Sequence, residues 1–160
     1  HVRFMLVNAP GYLFSVPGAI MGVLGLAVVG MAFFDVSLGE VSFGIHSMLA
    51  GSLLLILGYQ VGSMGVMATV AGTPIRAPQD PVSNWIAETV QLEHGATFGM
   101  ALFLAGGTYA GLLVLEWVTS GFTALPVLMS DVLAFTAIVL GVQTVFGSFF
   151  MSVVAGKDGH

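Results

Sequence analysis

Residues Ile56–Gly72 read ILGYQVGSMGVMATVAG, and residues Val139–Gly156 near the C-terminus read VLGVQTVFGSFFMSVVAG. Both stretches are apolar and uncharged, both carry a Gly-x-Gln that begins at Gly58 or Gly141, and both end in Ala-Gly. Uncharged apolar runs of this length are typical of helices that cross a lipid bilayer. The chain is therefore expected to be built from membrane-spanning helices.

The composition extends this expectation to the whole chain. Hydrophobic residues make up 57% of the 160 positions, charged residues only 7%, and the mean hydropathy is +1.02. A water-soluble domain of this size needs many more surface charges, so the composition indicates an integral membrane protein. The formal charge of −5 leaves no basic face for nucleic acid. The absence of cysteine removes disulfides, thiolate metal sites and thiol nucleophiles.

The order of apolar and polar runs predicts one all-α membrane domain over 1–160. Short interfacial helices are expected beside its spans, and Asp35–Glu40 is expected to form a tight turn. Pro17 is predicted to open the first span, because proline is tolerated in the first turn of a helix. The predicted segments are an interfacial stretch at 1–12, four spans at about 17–34, 44–71, 95–117 and 129–155, and a cytoplasmic amphipathic segment at 81–93 anchored by Trp85.

The three basic residues predict the orientation. Arg3, Arg76 and Lys157 all fall on the side shared by both termini and the middle loop. The positive-inside rule then predicts a multi-pass protein of the cell membrane with both termini in the cytoplasm. The acids Asp35, Glu40, Glu116 and Asp131 would lie in solvated outer turns.

An internal repeat is the second architectural expectation. Gly18-Ala19-x-x-Gly22 in span one matches Gly95-Ala96-x-x-Gly99 in span three, so spans one and two resemble spans three and four. Two tandem, parallel two-helix repeats would give a four-helix bundle with an axis along the membrane normal. Small residues let helices pack closely in lipid. The glycines predicted to pack helices are Gly18, Gly22, Gly58, Gly62, Gly95, Gly99 and Gly141.

Polar side chains within the spans are the candidates for intramembrane polar packing. Gln60 and Gln143 are expected to point inward and to hydrogen-bond spans two and four across the centre, since an amide is costly against lipid tails. Contact with a polar ligand is the alternative role. His46 is placed with them as a capped interfacial residue rather than a proton carrier, because the interior of the spans holds no acid, base or further histidine for a relay.

The sequence contains no catalytic motif. The four histidines lie on separate segments without metal-ligand spacing, and neither a nucleophile elbow nor a phosphate-binding glycine loop is present. No catalytic residue and no metal ligand is predicted. Arg3, Arg76 and Lys157 remain candidates for binding a lipid phosphate, with membrane topology alone as the other explanation.

An ordered set of short motifs carries a family resemblance across nearly the whole chain. The matching pieces are His1-x-Arg3-Phe4-x-Leu6, Pro10, Leu13-Phe14, Pro17-Gly18, His46, Gly58-x-Gln60, Leu92-Glu93-x-Gly95, Trp117, Gly121-Phe122, Leu125, Gly141-x-Gln143-Thr144-x-Phe146 and Ser148-Phe149-Phe150-x-Ser152. In this set the chain resembles the C-terminal membrane region of family 2 glycosyltransferases of the polyprenyl-phosphate type, which are similar to dolichol-phosphate mannose synthase. His94 departs from the arginine expected after Glu93, which weakens a phosphate clamp at that position.

The resemblance implies a transferase with a cytoplasmic catalytic domain ahead of His1. That domain would use a nucleotide sugar, a divalent metal held by an Asp-x-Asp motif and a lipid-phosphate acceptor; these 160 residues carry no Asp-x-Asp, and no cofactor is assigned to them. The chain itself would be a membrane anchor that positions the acceptor lipid, and its partners would be membrane lipid, polyprenyl phosphate and its own catalytic domain. A homo-oligomer stays open.

The sequence is also consistent with two other functions. The chain could be a stand-alone four-span scaffold or a subunit of a larger membrane complex, although the missing initiator Met argues against a complete small protein. A small transporter is weakened by the uncharged interior of the spans.

Overall fold

The structure is a computed structural model that describes residues 10–38, 41–72, 92–123 and 125–155. Over these ranges the chain forms four long helices and one small antiparallel ladder. The elements are α1 (Pro10–Phe33), β1 (Ser37–Leu38), β2 (Val41–Ser42), α2 (Ile45–Gly72), α3 (Leu92–Thr119) and α4 (Met129–Ala155). Each helix contains a stretch long and apolar enough to cross a membrane. The predicted all-α architecture with four spans is confirmed.

The first helix begins earlier than predicted. It starts at Pro10, so Pro17 lies inside α1 rather than at its first position. Pro10 itself fits the start of a helix, where the missing N–H would have no partner anyway. Pro17 removes one backbone hydrogen bond to the carbonyl of Leu13, and the surrounding apolar sequence continues the helix through it.

The connection between α1 and α2 is a two-stranded ladder rather than a simple tight turn. Ser37 pairs with Ser42 and Leu38 pairs with Val41 in antiparallel register. Asp35, with a φ of 51°, turns the chain out of α1; aspartate is among the residues that adopt this left-handed conformation most readily. The ladder is followed by the start of α2 at Ile45.

The helices form two antiparallel hairpins, α1 with α2 and α3 with α4, joined mainly where α2 contacts α4. α2 and α4 run in the same direction, because Met48 near the start of α2 clusters with Val132 near the start of α4, whereas Tyr59 and Thr144 meet farther along both helices. All four helices therefore have one end in common, where α1 and α3 begin and α2 and α4 end.

Few of the described side chains are fully buried. The core cluster of Val29, Ala32, Met48 and Val132 lies at the end of the bundle near the ladder, and Met48 is completely enclosed. Large apolar residues instead cover the outside, with Val23 69% and Phe146 69% exposed. A bundle whose outer surface is this apolar is suited to lipid as solvent.

Asp131 is buried in the structure, so its prediction as a solvated turn residue is wrong. It is 7% exposed in the first turn of α4, and its Oδ2 accepts a 2.8 Å hydrogen bond from the backbone N–H of Leu128. The Tyr109 hydroxyl of α3 lies 3.1 Å from Asp131 Oδ1 and 2.8 Å from Ser130 Oγ. The carboxylate thus caps α4 from the third position of the helix, as the acidic residue of a capping box does, and its contact with Tyr109 ties α4 to α3.

Candidate functional site

The first hairpin is held by backbone contact at glycines. A Cβ placed on Gly18 would lie 2.7 Å from Gly62 Cα and 2.9 Å from Gly58 O, and one on Gly58 would lie 2.7 Å from Gly22 Cα. Gly25 likewise meets Gly51 O at 2.8 Å. No side chain fits between the helices at these points, so α1 and α2 pack at the distance that only glycine permits.

The second hairpin is also held by backbone contact at glycines. A Cβ on Gly99 would lie 2.8 Å from Gly141 O, and one on Gly141 would lie 2.7 Å from Gly99 O. Farther along, a Cβ on Gly106 would lie 2.6 Å from Ala134 O. Gly18, Gly58, Gly99 and Gly141 are among the glycines predicted to pack helices, and Gly51 and Gly106 make contacts of the same kind without having been singled out from the sequence.

The contacts relate the two hairpins in a register that differs from the predicted one. Gly18 packs against the Gly58–Gly62 turn of α2, and Gly99 packs in the same way against the Gly141–Val145 turn of α4. Gly18 therefore corresponds to Gly99, one helical turn beyond the predicted Gly95. The duplication itself stays a prediction.

Gly22 and Gly62 have open space where a side chain would project, because no heavy atom of the described residues lies within 4 Å of the position that a Cβ would occupy. Their backbones still receive the close approach of Gly58 and Gly18. These two glycines therefore serve both in packing and in leaving room beside the helices. That room belongs to a larger cavity.

The cavity, here called the four-helix groove, has a volume of about 580 Å³, which falls within the range of small-molecule pockets. It is lined almost entirely by apolar atoms from all four helices. The lining includes Ser15 and Gly18 from α1, Tyr59 and Val66 from α2, His94 and Phe98 from α3, and Thr144 and Ser148 from α4. Gly22, Gly62 and Gly95 also line the groove.

Several hydroxyl groups along the groove already donate hydrogen bonds within the protein. Tyr59 donates to Thr144 Oγ1 at 2.8 Å, Thr144 donates to the carbonyl of Leu140 at 2.7 Å, and Ser148 donates to the carbonyl of Thr144 at 2.8 Å. Ser63 donates to the carbonyl of Gln60 at 2.9 Å. With these donors engaged, the groove offers an apolar surface, which suits a hydrocarbon chain better than a sugar or an ion.

The groove lies in the half of the bundle where α1 and α3 begin and α2 and α4 end. Residues 1–9, 73–91 and 156–160 are joined by chain connectivity to this same end. His94, exposed two residues after the start of α3, is a lining side chain with polar ring nitrogens.

The two glutamines differ in environment. Gln60 is exposed on the outside of α2, so the prediction that it points inward is wrong, and the predicted link between the two amides across the centre is not formed. Gln143 is half-buried, and its Oε1 is buried without a hydrogen-bond partner among the residues that the structure describes. The contact that does join α2 to α4 is the hydrogen bond between Tyr59, which precedes Gln60, and Thr144, which follows Gln143.

Of the remaining predicted polar residues, the structure describes His46. His46 is exposed in the first turn of α2, which agrees with an interfacial position and not with intramembrane packing. Arg3, Arg76, Lys157 and the amphipathic segment up to Gln91 lie outside the described residues. Within the described ranges no three His, Asp or Glu side chains come together in a way that could hold a metal ion.

Comparison with known proteins identifies the fold family. Residues 66–155 match the model of the glycosyltransferase family 2 C-terminal transmembrane region. The chain is 48% identical over 151 residues to the low-salt glycan biosynthesis hexosyltransferase Agl6 of Haloferax volcanii. That alignment covers 94% of this chain but only 37% of the relative, so the chain spans just over a third of the relative's length. No solved structure matches.

The matched range covers more than half of the chain and contains α3, α4 and the end of α2. The alignment with the relative covers nearly all of the chain. The chain belongs to the C-terminal transmembrane regions of family 2 glycosyltransferases.

Proposed function

We propose that the chain is the membrane domain of a hexosyltransferase that acts on a lipid-linked acceptor, and that it anchors the enzyme and holds the hydrocarbon part of that acceptor in the four-helix groove. The observation that carries the proposal is the groove itself. It is apolar, it is built by all four helices, and it lies toward the end of the bundle to which the rest of the protein would be joined.

The packing of the hairpins explains why a groove is present at this end. Glycine contacts draw α1 onto α2 and α3 onto α4, whereas the two hairpins are joined mainly through α2 and α4. Space remains between α1 and α3, and Gly22 and Gly62 keep side chains out of it. A polyprenyl chain is linear in its path and fully apolar, so it would leave the lipid for this groove without losing a hydrogen bond, and van der Waals packing against the helices would hold it there.

The charges of the sequence favour a groove in the cytoplasmic half of the membrane. Arg3, Arg76 and Lys157 all belong to segments joined to the groove end, and the positive-inside rule assigns such segments to the cytoplasm. In this arrangement a phosphate at the end of the bound chain would meet the membrane surface beside a cytoplasmic catalytic domain. The same bases would attract it electrostatically. The nucleotide sugar and the divalent metal would be bound by that domain.

The description of Agl6 as a glycan biosynthesis hexosyltransferase supports a hexose as the transferred group. A small transporter fits the structure less well, because groove hydroxyls that a polar solute would need are engaged within the protein. A scaffold without a bound ligand would not require an apolar groove of this size.

The proposal is tested by mass spectrometry of the full-length protein purified from its native membrane in mild detergent. We expect polyprenyl phosphate or its hexosyl product to co-purify at near one lipid per chain, and to be displaced by added long-chain isoprenyl phosphate. Recovery of bulk phospholipid alone, with no isoprenoid enriched over the membrane extract, would contradict acceptor binding and leave anchoring as the function.

A further inference from the structure

We propose that α2 is also the contact helix of a parallel homodimer in the membrane, with Gln60 of one copy hydrogen-bonded to Gln60 of the other. The observation that leads to this is the amide of Gln60. It is exposed near the middle of a 28-residue helix, at the depth where an unpaired amide is most costly. Within the described part of the chain no residue provides this amide with a hydrogen bond.

Exposed Ser and Thr residues of the bundle do not pose the same problem, because they can donate to their own helix. Thr108, also on the outer surface, donates to the carbonyl of Leu104 at 2.7 Å. A glutamine carries two donors and an acceptor at the end of a longer side chain and cannot satisfy them in this way. We therefore expect the amide of Gln60 to form its hydrogen bonds with a partner outside the bundle.

The residues around Gln60 form a seam with the spacing of a coiled coil. The seam is open to the surroundings, with Leu53 62% and Met64 57% exposed. The α2 seam consists of His46, Ala50, Leu53, Leu57, Gln60 and Met64. The intervals of four, three, four, three and four residues are those of heptad a and d positions. A repeat of 3.5 residues keeps one stripe facing a partner helix along its whole length.

The same helix shows that such spacing is used for packing. On another side of α2, Gly51, Leu55, Gly58 and Gly62 follow intervals of four, three and four, and this stripe is covered by α1. A third side meets α4 through Tyr59. The α2 seam is the side of the helix that the described part of the bundle leaves uncovered.

A second copy of this chain is the occupant that fits the seam. All copies insert in the membrane with the same orientation, so two of them pair about an axis along the membrane normal, and α2 meets its equivalent in parallel. Identical residues then lie at identical depth. Each Gln60 finds an amide at its own level, one donating and the other accepting, and a single polar residue in an apolar seam fixes the register of the pair.

Cysteine cross-linking of the full-length protein in native membranes tests the geometry. These 160 residues contain no cysteine, and any cysteine elsewhere in the protein is first replaced by serine. Leu57→Cys on the seam should give a disulfide-linked dimer on oxidation. Leu112→Cys, which is 59% exposed on α3, is the matched control and should give several-fold less. Equal cross-linking at both positions, or cross-linking of Leu57→Cys to a different protein, would overturn the proposal.

A second measurement tests the amide. The dissociation constant of the dimer is measured by energy transfer between labelled copies in bilayers. Gln60→Leu should raise it about 3- to 20-fold, the range of single interhelical hydrogen bonds in membranes. Thr108→Leu, a polar-to-apolar change on α3, should leave it unchanged. A dissociation constant unaffected by Gln60→Leu would overturn the pairing of the glutamines.

Discussion

The hydroxyl of Tyr59 donates a 2.8 Å hydrogen bond to Oγ1 of Thr144, and this bond joins the first hairpin to the second beside the groove. Thr144 donates its own proton to the carbonyl of Leu140 at 2.7 Å. The two helices that carry the Gly-x-Gln are thus linked, but by the tyrosine and threonine next to the glutamines.

Removal of this link should loosen the two hairpins. Tyr59→Phe keeps the ring and leaves Thr144 hydrogen-bonded to its own helix, so only the bond between the hairpins is lost. We expect the free energy of unfolding to fall by about 0.5–1.5 kcal/mol, as for other interhelical hydrogen bonds in membranes. The measurement is reversible unfolding in mixed micelles. Thr119→Val, which removes bonds within α3 near its end, is the control and should change stability less; an equal loss in both would contradict the linking role.

Glycine substitutions should separate the residues that pack helices from those that leave space. Gly58→Ala places a methyl group 2.7 Å from Gly22 Cα and 2.8 Å from Gly18 O, and we expect a loss of about 1–3 kcal/mol from this overpacking. Gly62→Ala meets no atom within 4 Å and should be neutral or slightly stabilising, since alanine favours helix over glycine. Thermal unfolding in detergent checks both. A Gly58→Ala variant that is as stable as the unsubstituted protein would mean that the backbones do not meet at Gly58.

The corresponding position of the second hairpin provides an independent prediction. Gly141→Ala places its methyl group 2.6 Å from the backbone nitrogen of Phe103, so we expect destabilisation similar to that of Gly58→Ala. Gly111→Ala, in open space on α3, is the control, and the same thermal unfolding assay compares them. A tolerated Gly141→Ala would show that α3 and α4 are farther apart than described.

The cap of α4 depends on Asp131. Asp131→Ala removes the acceptor of the Leu128 N–H and the partner of the Tyr109 hydroxyl, and we expect a loss of about 1–2 kcal/mol from the missing cap. Asp35→Ala is the control, because Asp35 is exposed. Unfolding in mixed micelles distinguishes the two. If both variants are equally stable, Asp131 is the solvated residue that its sequence position suggested.

Oε1 of Gln143 is buried and has no hydrogen-bond partner among the described residues, so its removal is not expected to lower the free energy of unfolding. Gln143→Met keeps the length of the side chain and removes an acceptor without a partner, so we expect stability to be unchanged or to rise by up to about 1 kcal/mol. The same unfolding assay measures it. A loss above about 1 kcal/mol would show that the amide is hydrogen-bonded in the folded protein.

The number and approximate limits of the spans could be predicted from sequence because lipid imposes a length and an absence of charge on each helix, and both are visible along the chain. The packing glycines could be predicted for a related reason, since small residues recur at intervals of three or four wherever backbones meet. The start of α1 at Pro10 could not, because Pro10 and Pro17 satisfy the same rule for a first turn.

The direction in which each glutamine points could not be predicted from the sequence either. Gln60 and Gln143 occupy the same place in their motifs, yet one is exposed and the other half-buried. Which side of α2 faces α4 depends on how the two hairpins dock, and that is set by a contact between residues 85 positions apart, Tyr59 and Thr144. The groove itself arises from the same docking. In the sequence, the groove was visible only as glycines, and the side of each glycine that faces open space could not be predicted.

The central claim is that the four-helix groove holds the hydrocarbon chain of the acceptor, and Gly62→Leu tests it most directly. This change fills the groove from a position where no atom lies within 4 Å, and Gly111→Leu adds the same side chain in open space outside the groove. The measurement is hexosyl transfer by the full-length enzyme to long-chain and short-chain isoprenyl phosphates. We expect Gly62→Leu to raise the KM for the long-chain acceptor about tenfold, the effect of losing roughly 1.4 kcal/mol of binding, with little change for the short one and none in Gly111→Leu. An unchanged KM for the long-chain acceptor in a folded Gly62→Leu enzyme would contradict the account.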